Sequence, residues 1–574
     1  MAPRRVAPAS ETQAIETLGS ATKTLGLAAA LALLSASACT KLGTTSAGSA
    51  RLHPWTTPDT VRIGLYEEPD TLNPVIGTMA FSSDVFQLLF DGLIRYDDRG
   101  RAIPDLAREL PTAANGGISA DGKTITYHLV PSAAWSDGIP VTSADVAFTW
   151  QQLMNASNLV VTRDGYDRIA RIDTPDAHTV RIVLRERYPP ALYLFRDLVS
   201  GAIVPKHLLE GNANINRVPF NARPIGSGPY VLSAWEHGNE MRFDANPHYF
   251  RGIPKIPHVV LKFVPDQNTV VSELRTHEID VYYSVSLSQL ARVREIEGLH
   301  IATTSSLHWE HLTFNTARPP LDEANVRRAL CYAVDENAIF AKVYHGLGRA
   351  APTHFNPDFG WGDPAVRYYP YDPAKSEALL DAAGWKRDAD GTRRKAGVPL
   401  AFGISTVAGV KQREEIEVLL QNAWHAIGAD VTVKNFPAAT LFAPAGAGGM
   451  LYGGKTDVAL YTSEFVTPDP DDSAFIGPGQ IPPAGGNASF YRNPQIGNLE
   501  KAGLATYDVA ARRAIYRKIQ HVLIDQVPEY ILDFLPEITA VNDDLQDVKP
   551  EPVGSDLWNI AAWSFSPSRH GATP

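Results

Sequence analysis

Four short groups of residues have side chains of the types that catalysis or metal binding requires. The serine in Gly226-Ser227-Gly228 lacks the flanking spacing of a G-x-S-x-G nucleophile turn, and no H-E-x-x-H or P-loop sequence is present. His277-Glu278 and Glu310-His311 are isolated pairs, too sparse for a closed metal site. Residues 469–472 lack the glycine and the distant glutamate of an EF-hand, so a structural turn explains them better. We therefore predict no catalytic residue, no metal and no cofactor, and expect that the protein is not an enzyme.

The stretch from Trp135 to Trp150, WSDGIPVTSADVAFTW, combines a turn with the start of a helix. Asp137-Gly138-Ile139-Pro140 is typical of a turn, because glycine tolerates positive φ and proline fixes its own φ. Thr142 or Ser143 can cap a helix, and the helix dipole favours Asp145 in its first turn. An apolar face follows at helical spacing, formed by Val146, Phe148, Trp150 and Leu153.

The composition is that of a globular mixed α/β protein. The chain has 574 residues, 44% of them hydrophobic, and is too long for one core. A net charge of −11 argues against nucleic acid, which requires a clustered basic surface, and indicates a solubilising acidic one. With 43 glycines, 43 prolines and two cysteines, we expect many loops and no disulfide framework.

The N-terminus has the features of an export signal. Basic residues precede an apolar run, 25–34, that is shorter than the roughly 20 residues of a membrane-spanning helix. Small residues at 36–38 lead to Cys39, as in a lipobox, so we predict a signal peptide over 1–39 and lipidation of Cys39. The alternative is an ordinary signal peptide cut near Ala38, and the long first segment leaves a later start codon open.

Strand and helix patterns follow along the rest of the chain. We predict strands at 61–66, 124–129, 179–184, 258–263 and 430–435, and helices at 82–90, 143–154, 268–276 and 410–426. A further helix is predicted after Asp372, which caps it, with Pro373 in the first turn and Gly384 at its end.

Motifs in a fixed order resemble those of family 5 extracytoplasmic solute-binding proteins, the dipeptide and oligopeptide receptors of ABC importers. They are the Trp135–Trp150 stretch, Phe90-Asp91-Gly92-Leu93, Ile103-Pro104-Asp105-Leu106-Ala107, Gly226-Ser227-Gly228-Pro229-Tyr230, Asn246-Pro247-His248-Tyr249-Phe250 and residues 372–385. The resemblance covers about residues 60–540. It implies an α/β, type II periplasmic-binding-protein fold, with two lobes joined by a hinge plus an inserted extra domain, and a ligand cleft between the lobes.

The same resemblance implies how the chain is divided. After the signal peptide, a linker occupies 40–55. Lobe I would comprise 56–85 with 206–305 and 532–574, the inserted domain 86–205, and lobe II 306–531, with hinges near 306 and 532.

The resemblance also indicates which residues line the cleft. Counting back from Phe90-Asp91-Gly92-Leu93 places Thr78, Met79 and Ala80 in the ligand-facing loop after the first strand. The aromatic candidates are Trp309, Phe436 and Tyr461, which offer large apolar area with few rotatable bonds. Lower-ranked candidates on a glycine- and proline-rich segment are Arg349, His354 and Trp361.

The opposite wall departs from the family pattern. Peptide receptors of this family carry W-x-x-D before an x-x-D-P element, and that first aspartate pairs with the α-ammonium group of a peptide. Ungapped counting puts Ser463 at the tryptophan and Val466 at the aspartate. Glu464 replaces the aspartate if the loop shifts. Otherwise the solute lacks a free α-ammonium group, or another acid such as Glu67 or Glu68 binds it.

We therefore expect an exported receptor in the periplasm or at the outer face of the cell membrane. It would bind a peptide or similar small solute and deliver it to an ABC permease and ATPase complex. We expect a monomer that contacts the membrane only through its lipid anchor and binds no nucleic acid. The alternatives are a same-fold receptor for a non-peptide solute (a nickel complex, an oligosaccharide or an opine), an exported lipoprotein hydrolase, and a structural envelope lipoprotein.

Overall fold

The computed structural model describes residues 51–79, 82–367, 369–465, 467–554 and 556–566. The predicted signal peptide, Cys39 and most of the predicted linker lie outside these residues. In the part of the chain that the structure describes, no helix combines the length and the apolar character needed to cross a membrane.

The strands form two large sheets and several small ones. In chain order they are β1 Thr60–Leu65, β2 Ile94–Tyr96, β3 Ala102–Pro104, β4 Thr124–His128, β5 Ile169–Asp176, β6 Thr179–Leu184, β7 Tyr230–Glu236, β8 Glu240–Ala245, β9 His258–Phe263, β10 Val281–Tyr282, β11 Leu299–Thr304, β12 His308–Phe314, β13 Lys386–Arg387, β14 Arg393–Lys395, β15 Val398–Pro399, β16 Ala401–Ser405, β17 Asp430–Val433, β18 Val458–Glu464, β19 Glu529–Asp533, β20 Glu537–Asn542, β21 Leu545–Gln546 and β22 Ser564–Phe565.

The helices pack around these sheets. In chain order they are α1 Ser82–Leu89, α2 Ser143–Met154, α3 Lys206–Leu209, α4 Gln267–Arg275, α5 Leu287–Arg294, α6 Ala324–Tyr332, α7 Glu336–Lys342, α8 Pro373–Ala382, α9 Lys411–Ala426, α10 Ala438–Leu441, α11 Ser473–Ile476, α12 Pro494–Gly503 and α13 Val509–Gln526. Helix α8 shows how the residues at its two ends determine where it begins and stops. The Asp372 carboxylate accepts from Lys375 N at 2.9 Å, Pro373 opens the first turn, and Gly384 has φ +86°.

The seven-stranded sheet has the order β11-β20-β10-β1-β9-β8-β7. Strand β1 pairs in parallel with both β9 and β10, and Val61, Ile63 and Leu65 are at most 2% exposed. Because the carboxyl ends of parallel strands share one edge of a sheet, the loops after β1 and β10 open on the same side.

The five-stranded sheet has the order β17-β16-β18-β12-β19. The chain passes between the two large sheets twice, through residues 305–307 and 534–536. The Ser306 hydroxyl donates to the Leu535 carbonyl at 2.6 Å, which ties these two connections together. They lie close to the predicted hinges near 306 and 532.

A three-stranded sheet, β4-β6-β5, carries helix α2. The helix occupies the predicted residues 143–154, and the Asp145 carboxylate accepts from the Thr142 N–H and hydroxyl at 2.8 and 2.9 Å. The same side chain accepts from Lys206 N at 2.9 Å, so one residue caps α2 and joins it to α3.

The predicted elements agree with the structure to within a few residues. The strand predicted at 430–435 ends earlier, at Val433, and the helix predicted at 410–426 begins at Lys411. The boundaries of the predicted lobes and inserted domain stay a prediction.

Candidate functional site

A cavity of about 370 Å³ lies where the two large sheets meet. Its lining comes from parts of the chain that are far apart in sequence. They are residues 64–66, 78–79, 83–84, 283–284, 307–308, 464–465, 551–554 and 556, together with Arg196, Leu198, Val199 and Glu537. The cavity therefore touches the open edge after β1 and β10, the connection at Leu307, and Glu537, the first residue of β20 after the second connection.

The first wall is the end of β1 and the loop that follows it. Asp70 orders this loop, because its carboxylate accepts from the Thr78 hydroxyl at 2.8 Å and from Thr78 N at 3.4 Å. Thr78 and Met79 face the cavity, and so does Asp84 in the first turn of α1.

The second wall is the adjacent ends of β12 and β18. These strands are antiparallel, and their register sets His308 directly opposite Glu464. His308 Nε2 lies 3.2 Å from a Glu464 carboxylate oxygen, and Phe465 N donates to the Leu307 carbonyl at 3.2 Å.

A third wall is the segment 551–556, close to the C-terminus. Two bonds hold this segment against the first wall: Leu557 N donates to Gln87 Oε1 at 3.0 Å, and the Tyr283 hydroxyl donates to the Asp556 carbonyl at 3.3 Å. Asp556 lines the same cavity as Asp84.

Carboxyl groups dominate the charge of the described cavity lining. Asp84, Glu464, Glu537, Glu551 and Asp556 line it together with Arg196 and His308. Burial raises the pKa of Asp84 to about 7. Burial, and then the nearby Asp84, Glu537 and Glu551, raise the pKa of Asp556 well above its usual range. Burial also raises the pKa of Glu537, an effect that His308 opposes and Glu464 reinforces.

Comparison with known proteins identifies the kind of molecule that carries this cavity. The family model "Bacterial extracellular solute-binding proteins, family 5 Middle" matches residues 101–480. The chain belongs to this family. It is 29% identical over 471 residues to Protein XP55 of Streptomyces lividans, covering 81% of this chain and 82% of that protein. It is 26% identical over 509 residues to the oligopeptide-binding protein AppA of Bacillus subtilis, covering 87% and 90%.

Solved structures give the same result. The crystal structure of NikZ from Campylobacter jejuni in complex with Ni(L-His) is 28% identical and superposes with a TM-score of 0.70, covering 89% of this chain and 100% of NikZ. The predicted family and the predicted α/β fold class are confirmed. The protein is an extracytoplasmic solute-binding protein of the ABC transporter type, and because family 5 receptors are non-enzymatic it is not an enzyme.

Three of the residues predicted to bind ligand line the cavity of this solute-binding protein: Thr78, Met79 and Glu464. Two more, Ala80 and Val466, lie outside the described residues. Their roles in binding stay predictions.

The other predicted residues lie behind the cavity wall. Trp309 is 1% exposed and packs on Phe465, which does line the cavity, with 4.8 Å between ring centroids. Ser463 shares the face of Trp309 and lies 3.0 Å from His311 Nε2. Tyr461 and Phe436 belong to a separate apolar cluster, in which the Tyr461 hydroxyl accepts from Thr313 at 3.1 Å.

The alternative candidates also have other contacts. Glu68 accepts from Trp235 Nε1 at 2.8 Å and from Gly238 N at 2.9 Å. Neither Glu67 nor Glu68 lines the cavity. His354 is fully buried between Glu529 and Asp472.

Sequence reasoning missed the carboxyl groups of the first and third walls. Asp84 has the signal of an ordinary first-turn helix acid, and nothing in the sequence indicates that it is buried. Asp556 lies beyond the last family motif. A search for acidic residues immediately after the predicted ligand loop would have found Asp84 alone.

Proposed function

We propose that this receptor captures a peptide or a similar small solute in the cavity at the sheet junction and delivers it to an ABC permease and ATPase complex. The position of the cavity carries this proposal. It is lined by Leu307, which lies in one chain connection between the large sheets, and by Glu537, which directly follows the other, so a rotation about residues 305–307 and 534–536 would open or close it. A volume of about 370 Å³ suits a small ligand.

Glu464 takes the role of the missing aspartate in this proposal. Its carboxylate reaches the cavity from the wall that carries the amine anchor in peptide receptors, and His308 is its only ion-pair partner among the described residues. An entering α-ammonium group would displace or share that contact, because a charge-assisted hydrogen bond to a carboxylate is strong in a partly dehydrated cleft.

The test is a thermal-shift titration of the purified mature receptor with free and N-acetylated di- and tripeptides. We expect saturable stabilisation by the free peptides, loss of it on acetylation, and a reduced difference in Glu464→Gln. Glu67→Gln is the matched control, since Glu67 is a loop glutamate outside the cavity lining. Equal stabilisation by free and acetylated peptides would contradict the role of Glu464, and a loss in Glu67→Gln instead would identify the alternative acid.

A non-peptide solute is the second candidate. Arg196 and His308 line the same cavity and suit carboxylate groups of an opine or of a metal chelate. The similarity to NikZ, which was solved with Ni(L-His), supports including that complex in the titration. Stabilisation by Ni(L-His), without stabilisation by peptides, would favour this candidate.

We further propose that the receptor is an exported monomer anchored by lipid at Cys39. Cys39→Ala should move the protein from the membrane fraction to the soluble envelope fraction, while mass spectrometry of the wild-type N-terminus shows a diacylglyceryl cysteine. An unmodified N-terminus at Thr40 or nearby would contradict the lipid anchor.

A further inference from the structure

Asp84 is a buried carboxyl group for which the described residues supply no partner. It is 6% exposed, lines the cavity, and forms no hydrogen bond or ion pair with any residue in the described ranges of the chain. Burial is the sole cause of its raised pKa. A buried carboxylate that no group compensates is costly, so such a side chain is retained where something outside the chain completes it.

Asp84 does not stand alone on its side of the cavity. Glu537, Glu551 and Asp556 line the same region, and we call these four residues the acidic wall. Asp84, Glu537 and Glu551 all contribute to the raised pKa of Asp556, after the larger effect of burial. The bonds from Leu557 N to Gln87 and from the Tyr283 hydroxyl to the Asp556 carbonyl hold the backbone of the third wall near α1 and the end of β10.

Carboxyl groups outnumber cationic groups in the described lining. It has five carboxyl groups, the Arg196 guanidinium and the His308 imidazole, and His308 lies 3.2 Å from Glu464. Asp84 therefore offers acceptor oxygens to a cationic group that enters, and an entering cation favours its ionised form.

We infer that the acidic wall is a second anchor, which receives a positively charged ammonium or guanidinium group of the solute. This inference rests on the proposed function and narrows it, because the preferred solutes are then cationic, with one amine at Glu464 and a second cationic group at Asp84 and Asp556. An ammonium group has three N–H donors and can satisfy both carboxylates at once. A bare metal ion is not the expected occupant, since the described residues hold no group of three or more His, Cys, Asp or Glu side chains able to bind one.

The experiment is isothermal titration calorimetry of the full mature receptor at pH 8 with Ala-Lys, Ala-norleucine and spermidine. The two dipeptides have side chains of similar length and differ in charge. We expect Ala-Lys to bind more tightly than Ala-norleucine. Asp84→Asn should weaken Ala-Lys by about tenfold to a thousandfold, as for the loss of one partner of a buried charge pair, and leave Ala-norleucine unchanged.

Two further variants keep the result interpretable. Asp556→Asn, on a different segment, should change Ala-Lys binding in the same direction if Asp84→Asn fails to fold. Glu417→Gln is the matched control: Glu417 is fully buried, burial raises its pKa to about 7, and it lies on α9 outside the cavity lining. This variant should bind both dipeptides as the wild type does.

The outcomes separate this inference from the proposed function. Equal binding of the two dipeptides, or an unchanged preference in both aspartate variants, overturns the acidic wall as an anchor and leaves the receptor function standing. If spermidine binds, neither dipeptide binds, and Asp84→Asn weakens spermidine binding, the role of the acidic wall as an anchor is supported and a peptide is excluded as the solute. Binding of none of the three solutes overturns the acidic wall as an anchor and the peptide as solute, and leaves the non-peptide candidate to the titration with Ni(L-His).

Discussion

The acidic wall differs from a group of buried acids beside the five-stranded sheet, each of which has a cation opposite it. Asp469 receives Arg512, with 2.7 Å between Oδ1 and Nη2, and His354 lies between Glu529 and Asp472. These three carboxyl groups are thus compensated within the chain.

The acidic wall is the opposite case. Both Asp84 and Asp556 line the cavity and have no cation paired with them among the described residues, and the pKa of both is raised, for Asp556 despite a hydrogen bond from the Glu551 backbone. In the core, burial alone would lower the pKa of His354, but the carboxyl groups of Glu529 and Asp472 outweigh it and raise the pKa to about 10. Burial therefore has different consequences with and without a partner. A buried charge that has a partner within the chain stabilises the fold of a lobe, whereas one without such a partner favours the binding of a cationic ligand.

The largest expected effect is the loss of stability when a buried ion pair is broken. Arg512→Leu leaves Asp469, whose side chain is 3% exposed, without its cation. We expect the free energy of unfolding to fall by about 3–5 kcal/mol, as when one partner of a buried pair is removed. Urea unfolding followed by circular dichroism measures this, with Arg513→Leu, an exposed neighbour on α13, as the control. Equal losses in both variants would show that general helix effects dominate.

The next expected effect is a gain, not a loss, in the free energy of unfolding. The folded-state pKa of Asp84, about 7, lies above its unfolded value, so stability falls as the pH rises from about 4 to about 7. Asp84→Asn removes this loss. We expect the stability of the solute-free variant, relative to the wild type, to increase by about 2–3 kcal/mol from pH 5 to pH 8, because the cost of the buried amide does not change with pH.

Melting temperatures of both proteins at pH 5 and pH 8, without solute, measure that gain. Glu417→Gln should show a similar gain, because burial raises the pKa of Glu417 to about 7 as well, yet it should not change solute binding. A difference between Asp84→Asn and the wild type that does not vary with pH would contradict the titration of Asp84.

Local sequence was enough to predict the elements but not the acidic wall. Helix α2 was predicted at its observed bounds because its cap, its first-turn acid and its apolar spacing all lie within one segment. Glu464, Thr78 and Met79 were found by register within short loops. The cavity that Asp84 lines, in contrast, also needs the 551–557 segment, and the bond that holds that segment against α1, Leu557 to Gln87, spans 470 positions of the chain.

Strand register also limits what motif counting can resolve. Ser463 and Glu464 are adjacent, but successive side chains of a strand point to opposite faces. The pairing of Trp309 with Ser463 puts Ser463 on the face of the buried aromatic cluster, whereas Glu464 pairs with His308 at the cavity. Counting along the chain identifies the loop, but the face depends on a partner strand about 150 residues away.

A smaller effect concerns the pH dependence of solute binding. At pH 8 Asp84 is mostly ionised, and at pH 6 it is mostly protonated and must release a proton before it can pair with a cation. Asp556, Glu537, Glu551, Tyr283 and Arg196 are the other titratable or charged groups around it.

We expect the affinity for Ala-Lys to fall about tenfold from pH 8 to pH 6, while the affinity for Ala-norleucine changes little, because both share the same anchor at the N-terminus. Calorimetry in buffers of different ionisation enthalpy would also detect the proton released. A parallel fall for both dipeptides would assign the pH dependence to the N-terminal anchor instead.

The smallest expected effect is the stability of Glu464→Gln. The side chains of Glu464 and His308 are 56% and 43% exposed, and exposed pairs of this kind contribute at most about 1 kcal/mol. We therefore expect an unfolding free energy within about 0.5 kcal/mol of the wild type, together with a loss of preference for peptides with a free N-terminus. His308→Gln is the matched control, since it removes the same pair and keeps the carboxylate. If both variants destabilise the protein strongly, the pair holds the ends of β12 and β18 together, and Glu464 belongs with the partnered charges of the core rather than with the acidic wall.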